Sequence, residues 1–251
     1  MIGIIGGVGP YAGLHLHKCI LDQTMANYDQ DHLPVIHINC ASEVPDRTEF
    51  LLGHNPENPA VPISRQIDTL YNAGARVIGL PCNTAHADSI YDILHNHVQN
   101  MQGLIMINMI DELFREMARL GETKTGLLAT LGSYRNGLFN AYGKKYNIEV
   151  VLPEEDIQAR VHDTIYNSRD GLKSTGMMNM RINSLYQSIF ESYRKKHIHS
   201  AILGCTEISM AFPSLNSTAF RTFKTIDILA GSLIREYYYS KQRNLFNLNE
   251  L

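Results

Sequence analysis

The sequence has no basic surplus, no closely spaced cysteine pair and no long apolar run, and each absence removes a class of function. Lys and Arg total 22 against 25 for Asp and Glu, a formal net charge of −3. That balance offers nothing to neutralise a phosphate backbone or to hold an anionic bilayer, so neither nucleic acid nor a membrane is an expected partner. No apolar stretch reaches the roughly 20 residues that a membrane-crossing helix requires. The four cysteines stand at positions 19, 40, 82 and 205, too few and too scattered for a disulfide framework and without the CxxC spacing of a structural zinc. The opening MIGIIGG carries no basic segment and reads as a strand, not a secretory leader. The expected location is therefore cytoplasmic, with the thiols free. What remains is an ordinary globular composition, 44% hydrophobic and 19% charged over 251 residues. It suits one large domain or two small ones and is unlike disordered or collagen-like chains.

Short runs rich in Ile, Val and Leu recur at Ile2 to Gly6, Val35 to Asn39, Val77 to Leu80, Leu104 to Ile107, Thr125 to Thr130, Ile148 to Leu152 and Ser200 to Leu203. Between them, segments such as Ile63 to Asn72 and Met109 to Leu120 place apolar residues at helical intervals. This alternation indicates βα units around parallel strands buried on both faces, so the expected fold class is α/β. The two halves also echo each other. GIIGGVG from Gly3 lies over GLLATLG from Gly126, an offset of 126 − 3 = 123, and the same shift carries Gly9 onto Gly132, Tyr11 onto Tyr134 and Cys82 onto Cys205. A third echo, MIDEL from Met109 against TIDIL from Thr225, has an offset of 225 − 109 = 116. Two related domains facing each other account for all three, the first formed by residues 1–108 with 225–251 and the second by 109–224. A single (β/α)₈ barrel, typically about 250 residues, is the competing architecture. The tail after Tyr239, rich in Asn and Gln, reads as a frayed end or a subunit contact.

Loops leaving the C-terminal ends of parallel strands gather in one crevice, where open α/β sheets bind ligands. Cys82 and Cys205 both fall at such ends, followed by Asn83-Thr84-Ala85-His86 and by Thr206-Glu207, where a helix is expected to begin. Backbone N–H groups at a helix start, with Asn and Thr side chains, suit a carboxylate, and the same position lowers a thiol's pKa. Packing is the other reading of a buried Cys, because a free thiol behaves as a small hydrophobe. Occurrence at equivalent points of both halves favours chemistry. Cys19, in the first helix, and Cys40, at an unmatched strand end, are assigned to structure. Gly7-Val8-Gly9-Pro10-Tyr11-Ala12 has the GxGxxA form of a dinucleotide turn, but no acid closes the second strand, where Asn39-Cys40-Ala41-Ser42 precedes Glu43. A tight turn presenting N–H groups to a small anion explains the glycines without a nucleotide. Arg47, in the loop after the second strand, is placed to bind a second carboxylate in the crevice, or else to pair at the surface with Asp46 or Glu49. His15 and His86 are left unassigned.

Together, Gly6-Gly7-Val8-Gly9-Pro10, Pro45-Asp46-Arg47-Thr48, Pro81-Cys82-Asn83-Thr84-Ala85-His86 and Gly204-Cys205-Thr206-Glu207 resemble the aspartate/glutamate racemase family, most closely its aspartate racemase branch. The resemblance runs along nearly the whole chain. It implies a cofactor-independent amino-acid racemase of two pseudo-symmetric flavodoxin-like domains, each with a parallel sheet, and an active site in the cleft between them. Carried over residue by residue, Cys82 and Cys205 are the acid/base pair, Asn83, Thr84 and Thr206 hold the α-carboxylate, Thr130 is a further substrate contact and Arg47 takes the side-chain carboxylate. The branch also has a lysine on a helix of the second domain. Here the stretch from Ile165 to Lys173 carries extra residues, so Lys173 is a loose match and the choice between aspartate and glutamate stays open. The resemblance implies no cofactor and no metal, a small-molecule amino-acid substrate and a homodimer.

Racemising through a planar carbanion requires a proton to leave one face and another to arrive at the opposite face, which two opposed thiols satisfy. Cysteine, with a free pKa of about 8.5, supports the mixed protonation state that this needs. Competing expectations are a maleate cis–trans isomerase-like enzyme, which also uses two cysteines and a diacid, and a non-catalytic protein binding a dicarboxylic amino acid in the same cleft. Hydantoin racemisation is disfavoured by Arg47 and arylmalonate decarboxylation by the second cysteine. A nucleotide-binding oxidoreductase built on the glycine turn comes last.

Overall fold

The computed structural model describes residues 1–212 and 220–248, with side chains described as far as Arg243. Among these residues β1 (Ile2–Gly6), β2 (Val35–Asn39), β3 (Val77–Gly79) and β4 (Ile105–Ile107) form one sheet in the order β2-β1-β3-β4. A second sheet holds β5 (Lys124–Ala129), β6 (Glu149–Val151), β7 (Ser200–Gly204) and β8 (Arg221–Lys224) in the same relative order, β6-β5-β7-β8. Every pairing is parallel. Two separate sheets of one topology rule out the single closed barrel and give the two α/β halves that the internal register implied.

The helices α1 (Pro10–Gln23), α2 (Arg47–Leu51), α3 (Ala60–Asn72), α4 (Asp88–Gln99) and α5 (Met109–Arg119) precede β5 in the chain. After it come α6 (Leu131–Asn136), α7 (Leu138–Tyr146), α8 (Glu155–Tyr166), α9 (Leu172–Thr175), α10 (Met180–Lys195), α11 (Thr206–Ala211) and α12 (Thr225–Leu248). Local chemistry accounts for several starts. Side-chain oxygens of Asp46, Asn108, Thr130 and Asn179 each accept from backbone N–H groups in the first turn of the helix they precede. Pro10 occupies the first turn of α1, where its missing N–H leaves no partner wanting. Central β1 buries Ile2, Ile4 and Ile5 completely, as β-branched residues do in a strand covered on both faces. Edge strand β8 buries only Phe223 of its four residues, which is why the apolar-run pattern passed over it.

The last helix of each sheet crosses to the other half. α5 leaves β4 yet lays Ile110, Leu113, Phe114 and Met117 against Leu127, Ala129 and Ile202 of the second sheet. α12 leaves β8 and returns Ile226, Leu229, Ala230 and Leu233 to Ile2, Ile4, Val77 and the inner face of α1. The two exchanged helices meet at Glu112, which accepts from Ser232 Oγ at 2.7 Å and pairs with Arg235. α12 continues as helix to Leu248, so the tail after Tyr239 does not fray at that point; residues 249–251 and the side chains beyond Arg243 lie outside the described residues. Among the described residues no helix is long and apolar enough to cross a membrane.

Candidate active site

A narrow cavity of about 20 Å³ lies where the C-terminal ends of both sheets meet. All seven residues singled out from the sequence line it: Arg47, Cys82, Asn83 and Thr84 from the first half, Thr130, Cys205 and Thr206 from the second. Five more join them, Val8, Thr48, Tyr166, Lys173 and Glu207. Cys205 follows β7 directly and Cys82 follows the equivalent strand β3 by a short Leu80-Pro81 extension, and both thiols are buried. Larger grooves exist elsewhere, but the one beside α5 and α12 has Arg115, Arg119 and Arg235 already paired with carboxylates.

The surroundings of the two thiols differ. After Cys205 a helix begins at once with Thr206, whereas Asn83–His86 form only a 3₁₀ turn and α4 begins at Asp88. The expected lowering of the thiol pKa by a helix start is overturned at Cys205. Burial pushes this thiol well above its ordinary range, and the Glu207 carboxylate pushes it further, with Lys173 opposing only in part. Its Sγ donates to Glu207 Oε2 at 3.0 Å, so Cys205 rests as a thiol. Glu207 is itself buried, which disfavours its charge, yet the Lys173 ammonium at 3.0 Å and the Cys205 hydrogen bond outweigh burial and hold its carboxyl down at about 2. Lys173, loose in sequence register, is thus brought into the cavity wall, with its ammonium also 5.1 Å from the centre of the Tyr166 ring.

Cys82 instead has the Arg47 guanidinium for a neighbour. Arg47 is buried, not paired at the surface: Asp46 caps α2 and accepts from Tyr166 Oη, while Glu49 pairs with His54. Burial works against the charge of Arg47, but the nearby Cys82, Asp46 and Tyr166 more than offset it and raise the guanidinium pKa. Arg47 donates through one terminal nitrogen to Pro45 O at 3.0 Å, and its Nε has no partner. Asn83, only 2% exposed, leaves both its side-chain oxygen and nitrogen without partners. Unpaired buried groups of this kind cost about 1–3 kcal/mol each, a cost that a bound ligand removes.

The hydroxyls are arranged as a relay between the halves. Thr48 Oγ1 donates to Thr130 Oγ1 at 3.3 Å, and Thr84 Oγ1 lies 3.3 Å from Thr130 Oγ1 and 3.2 Å from Ser133 Oγ. Thr206 donates inward, to Glu207 Oε2 at 2.9 Å, so its hydroxyl hydrogen is not aimed at the cavity in this arrangement. Both equivalent glycine turns let the halves close upon each other. Gly9 has φ +111°, and a Cβ there would stand 3.1 Å from Glu207 Oε1; a Cβ on Gly132 would stand 3.1 Å from Thr48 Cα. The first turn therefore packs on the Cys205 loop, which is a use for its glycines that needs no nucleotide.

His86 is structural. Its Nδ1 donates to Cys82 O at 2.9 Å and its Nε2 accepts from the Met109 N–H at 3.2 Å, which defines the neutral tautomer. Burial lowers its pKa to about 4, with the backbone hydrogen bonds to Cys82 and Ile107 opposing. Signals for the missed residues were present in part, since Thr48 and Glu207 stand inside the quoted motifs. Tyr166 sits in the stretch whose extra residues obscured the register.

Two parallel α/β halves of one topology thus each contribute a strand-end thiol to one polar cleft. Residues 5–233 match the sequence profile of the Asp/Glu/Hydantoin racemase family, and the chain belongs to that family of isomerases. Among its relatives is the broad specificity amino-acid racemase RacX of Bacillus subtilis, 22% identical over 221 residues that span 86% of this chain and 89% of that protein. Among solved structures, aspartate racemase from Picrophilus torridus superposes with a TM-score of 0.78 at 26% identity, covering 94% of this chain and 93% of its own. Glutamate racemase from Francisella tularensis, in complex with D-glutamate, shares the fold with a TM-score of 0.68 at 16% identity, covering 96% and 81% respectively.

Proposed function

We propose that this protein racemises an acidic amino acid, aspartate or glutamate, by a two-base mechanism in which Cys82 and Cys205 act on opposite faces of the α-carbon. The observation that carries the proposal is the arrival of both thiols, from equivalent strand ends of two halves, in one cavity that also holds the partnerless polar groups of Arg47 and Asn83. Asn83 and Thr84 are assigned to the α-carboxylate, with Thr206 joining them once its hydroxyl turns from Glu207. Thr130 closes the same wall through the hydroxyl relay, and Arg47 takes the side-chain carboxylate. Similarity to a named aspartate racemase supports the acidic substrate.

Cys205 rests as the thiol, so the thiolate role falls first to Cys82, beside the Arg47 cation. The Cys82 thiolate removes the α-proton and becomes a thiol; Cys205 gives its proton to the opposite face and becomes the thiolate. The reverse direction exchanges the roles. The carboxylate gains enolate-like charge in between, and donors fixed in a dry cleft stabilise that charge without reorganising. Lys173 offsets the repulsion between a Cys205 thiolate and Glu207. The scheme uses only side chains of this chain and needs no cofactor or metal.

The same proposal includes the division into 1–108 with 225–251 and 109–224, supported by the crossing of α5 and α12. It also includes a cytoplasmic homodimer, supported by the free thiols and the family resemblance. The deciding experiment incubates the protein with L-aspartate, L-glutamate or maleate in deuterated water, followed by chiral separation and mass analysis. A D-amino acid carrying one solvent deuterium is expected. Fumarate from maleate without racemisation would shift the reading to an isomerase of diacids, and tight aspartate binding without exchange to a binding protein.

A further inference from the structure

We propose that His15, Cys19 and Asp227 form a binding site for one thiophilic divalent cation, of which Zn²⁺ is the representative. The three donor atoms lie within 4.8 Å of one another: Cys19 Sγ is 3.5 Å and His15 Nε2 3.9 Å from the same atom, Asp227 Oδ1. In a tetrahedral zinc site, bond lengths of about 2.0–2.3 Å put neighbouring donors about 3.3–3.6 Å apart, so small side-chain adjustments suffice. His15 and Cys19 are four residues apart on α1, the spacing that sets two ligands on one helical face. Asp227 arrives from the first turn of α12, 208 residues from Cys19 in sequence, so no local motif announces the set.

The donor chemistry suits the ion. A thiolate, an imidazole and a carboxylate together neutralise a dication and leave a fourth position for water. Binding converts the Cys19 thiol to a metal thiolate and releases one proton to solvent. Lys18 and Lys224 face the cluster as cations and Asp22 as an anion, with Lys18 already held by Asp22 at 2.6 Å. Asp227 is kept in place by Gln23 Nε2, which donates to its backbone carbonyl at 3.0 Å. A bound ion pins α1, whose N-terminal turn packs on the Cys205 loop, to α12, which returns from the far half. The site is independent of the proposed catalytic residues.

The test uses the full chain stripped with a chelator, titrated with Zn²⁺ by calorimetry and with Co²⁺ by absorbance. One equivalent is expected to bind with Kd below about 10 µM. A sulfur-to-cobalt charge-transfer band and a higher thermal midpoint are expected with it. Cys19→Ser and His15→Ala should each weaken binding at least about tenfold and remove the midpoint shift, with Cys19→Ser also abolishing the band. Cys82→Ser and Cys205→Ser should leave all three intact. Because His15 is partly exposed, His15→Ala keeps the test valid should Cys19→Ser fold poorly. Absence of binding, persistence in either α1 variant, or loss on replacing Cys82 or Cys205 would overturn the proposal. None of these readouts depends on racemase activity.

Discussion

At the residue scale, the cleft separates groups that are satisfied from groups that wait for a ligand. Glu207, Lys173 and Cys205 satisfy one another, whereas Arg47 Nε and the Asn83 amide have no partner. Arg47→Ala is therefore expected to lower kcat/KM for aspartate by about 10²-fold while changing that for alanine or serine much less; an unchanged preference order would count against Arg47 as the side-chain clamp. Asn83→Ala is expected to cost about 10²–10³ in kcat, measured with saturating substrate. His86 yields a stability prediction. Its folded pKa, about 4, lies below the usual 6.5, so the unfolded chain takes up the proton first and stability falls as pH drops from 6.5 to 4. Denaturant titrations should show a loss of about 3 kcal/mol over that window, largely absent in His86→Gln relative to its own value at pH 7. The thiols and Asn83 were legible as residue types at strand ends and Arg47 as a cation in the loop after the second strand, while Thr130 came only with the family resemblance. The resting state of Cys205 was not legible, because it depends on a carboxylate turned inward and on a lysine 34 positions from that carboxylate.

At the scale of elements, the short turns after β1 and β5 decide how closely the halves approach. Gly9→Ala combines a positive φ with a Cβ pressed toward Glu207 Oε1 and is expected to destabilise by about 1–3 kcal/mol and to depress activity. Gly132→Ala, where crowding against Thr48 Cα is the obstacle, should act chiefly on activity. Thermal unfolding and initial rates of both variants check this, and full activity in Gly9→Ala would contradict the packing role given to that turn. Seven of the eight described strands were legible as apolar runs, most plainly the central β1, β3, β5 and β7, because a parallel strand covered on both faces must be apolar throughout. β8 was not, since an edge strand with Arg221 and Lys224 at its ends keeps only one inward apolar residue. Of the two helices read from periodicity, α5 begins at Met109 as expected, where Asn108 caps it, and ends one residue early, while α3 begins three residues earlier, at Ala60, without a side-chain cap.

Over the whole molecule, the duplicated register and the crossing of α5 and α12 describe two similar halves joined by exchanged helices. Glu112, with Ser232 and Arg235, fastens that exchange. Glu112→Ala is expected to cost about 1 kcal/mol, the arginines being half exposed, without altering substrate preference. Denaturation midpoints and a substrate panel measure both parts. The halves were readable as a repeat because Gly and Cys recur at an offset of 123 and the Ile-Asp step at 116, while the cavity they share depends on side chains meeting across the interface, which no offset encodes. The account rests on proton removal and delivery by different thiols, and isotope tracing at low conversion addresses this directly. With protiated L-aspartate in deuterated water, the D-aspartate formed first should carry deuterium at the α-carbon while the remaining L-aspartate keeps its protium, and Cys82→Ser and Cys205→Ser should each stop racemisation. First-formed D-aspartate that retains the original protium, or full racemisation by either variant, would contradict the two-base assignment.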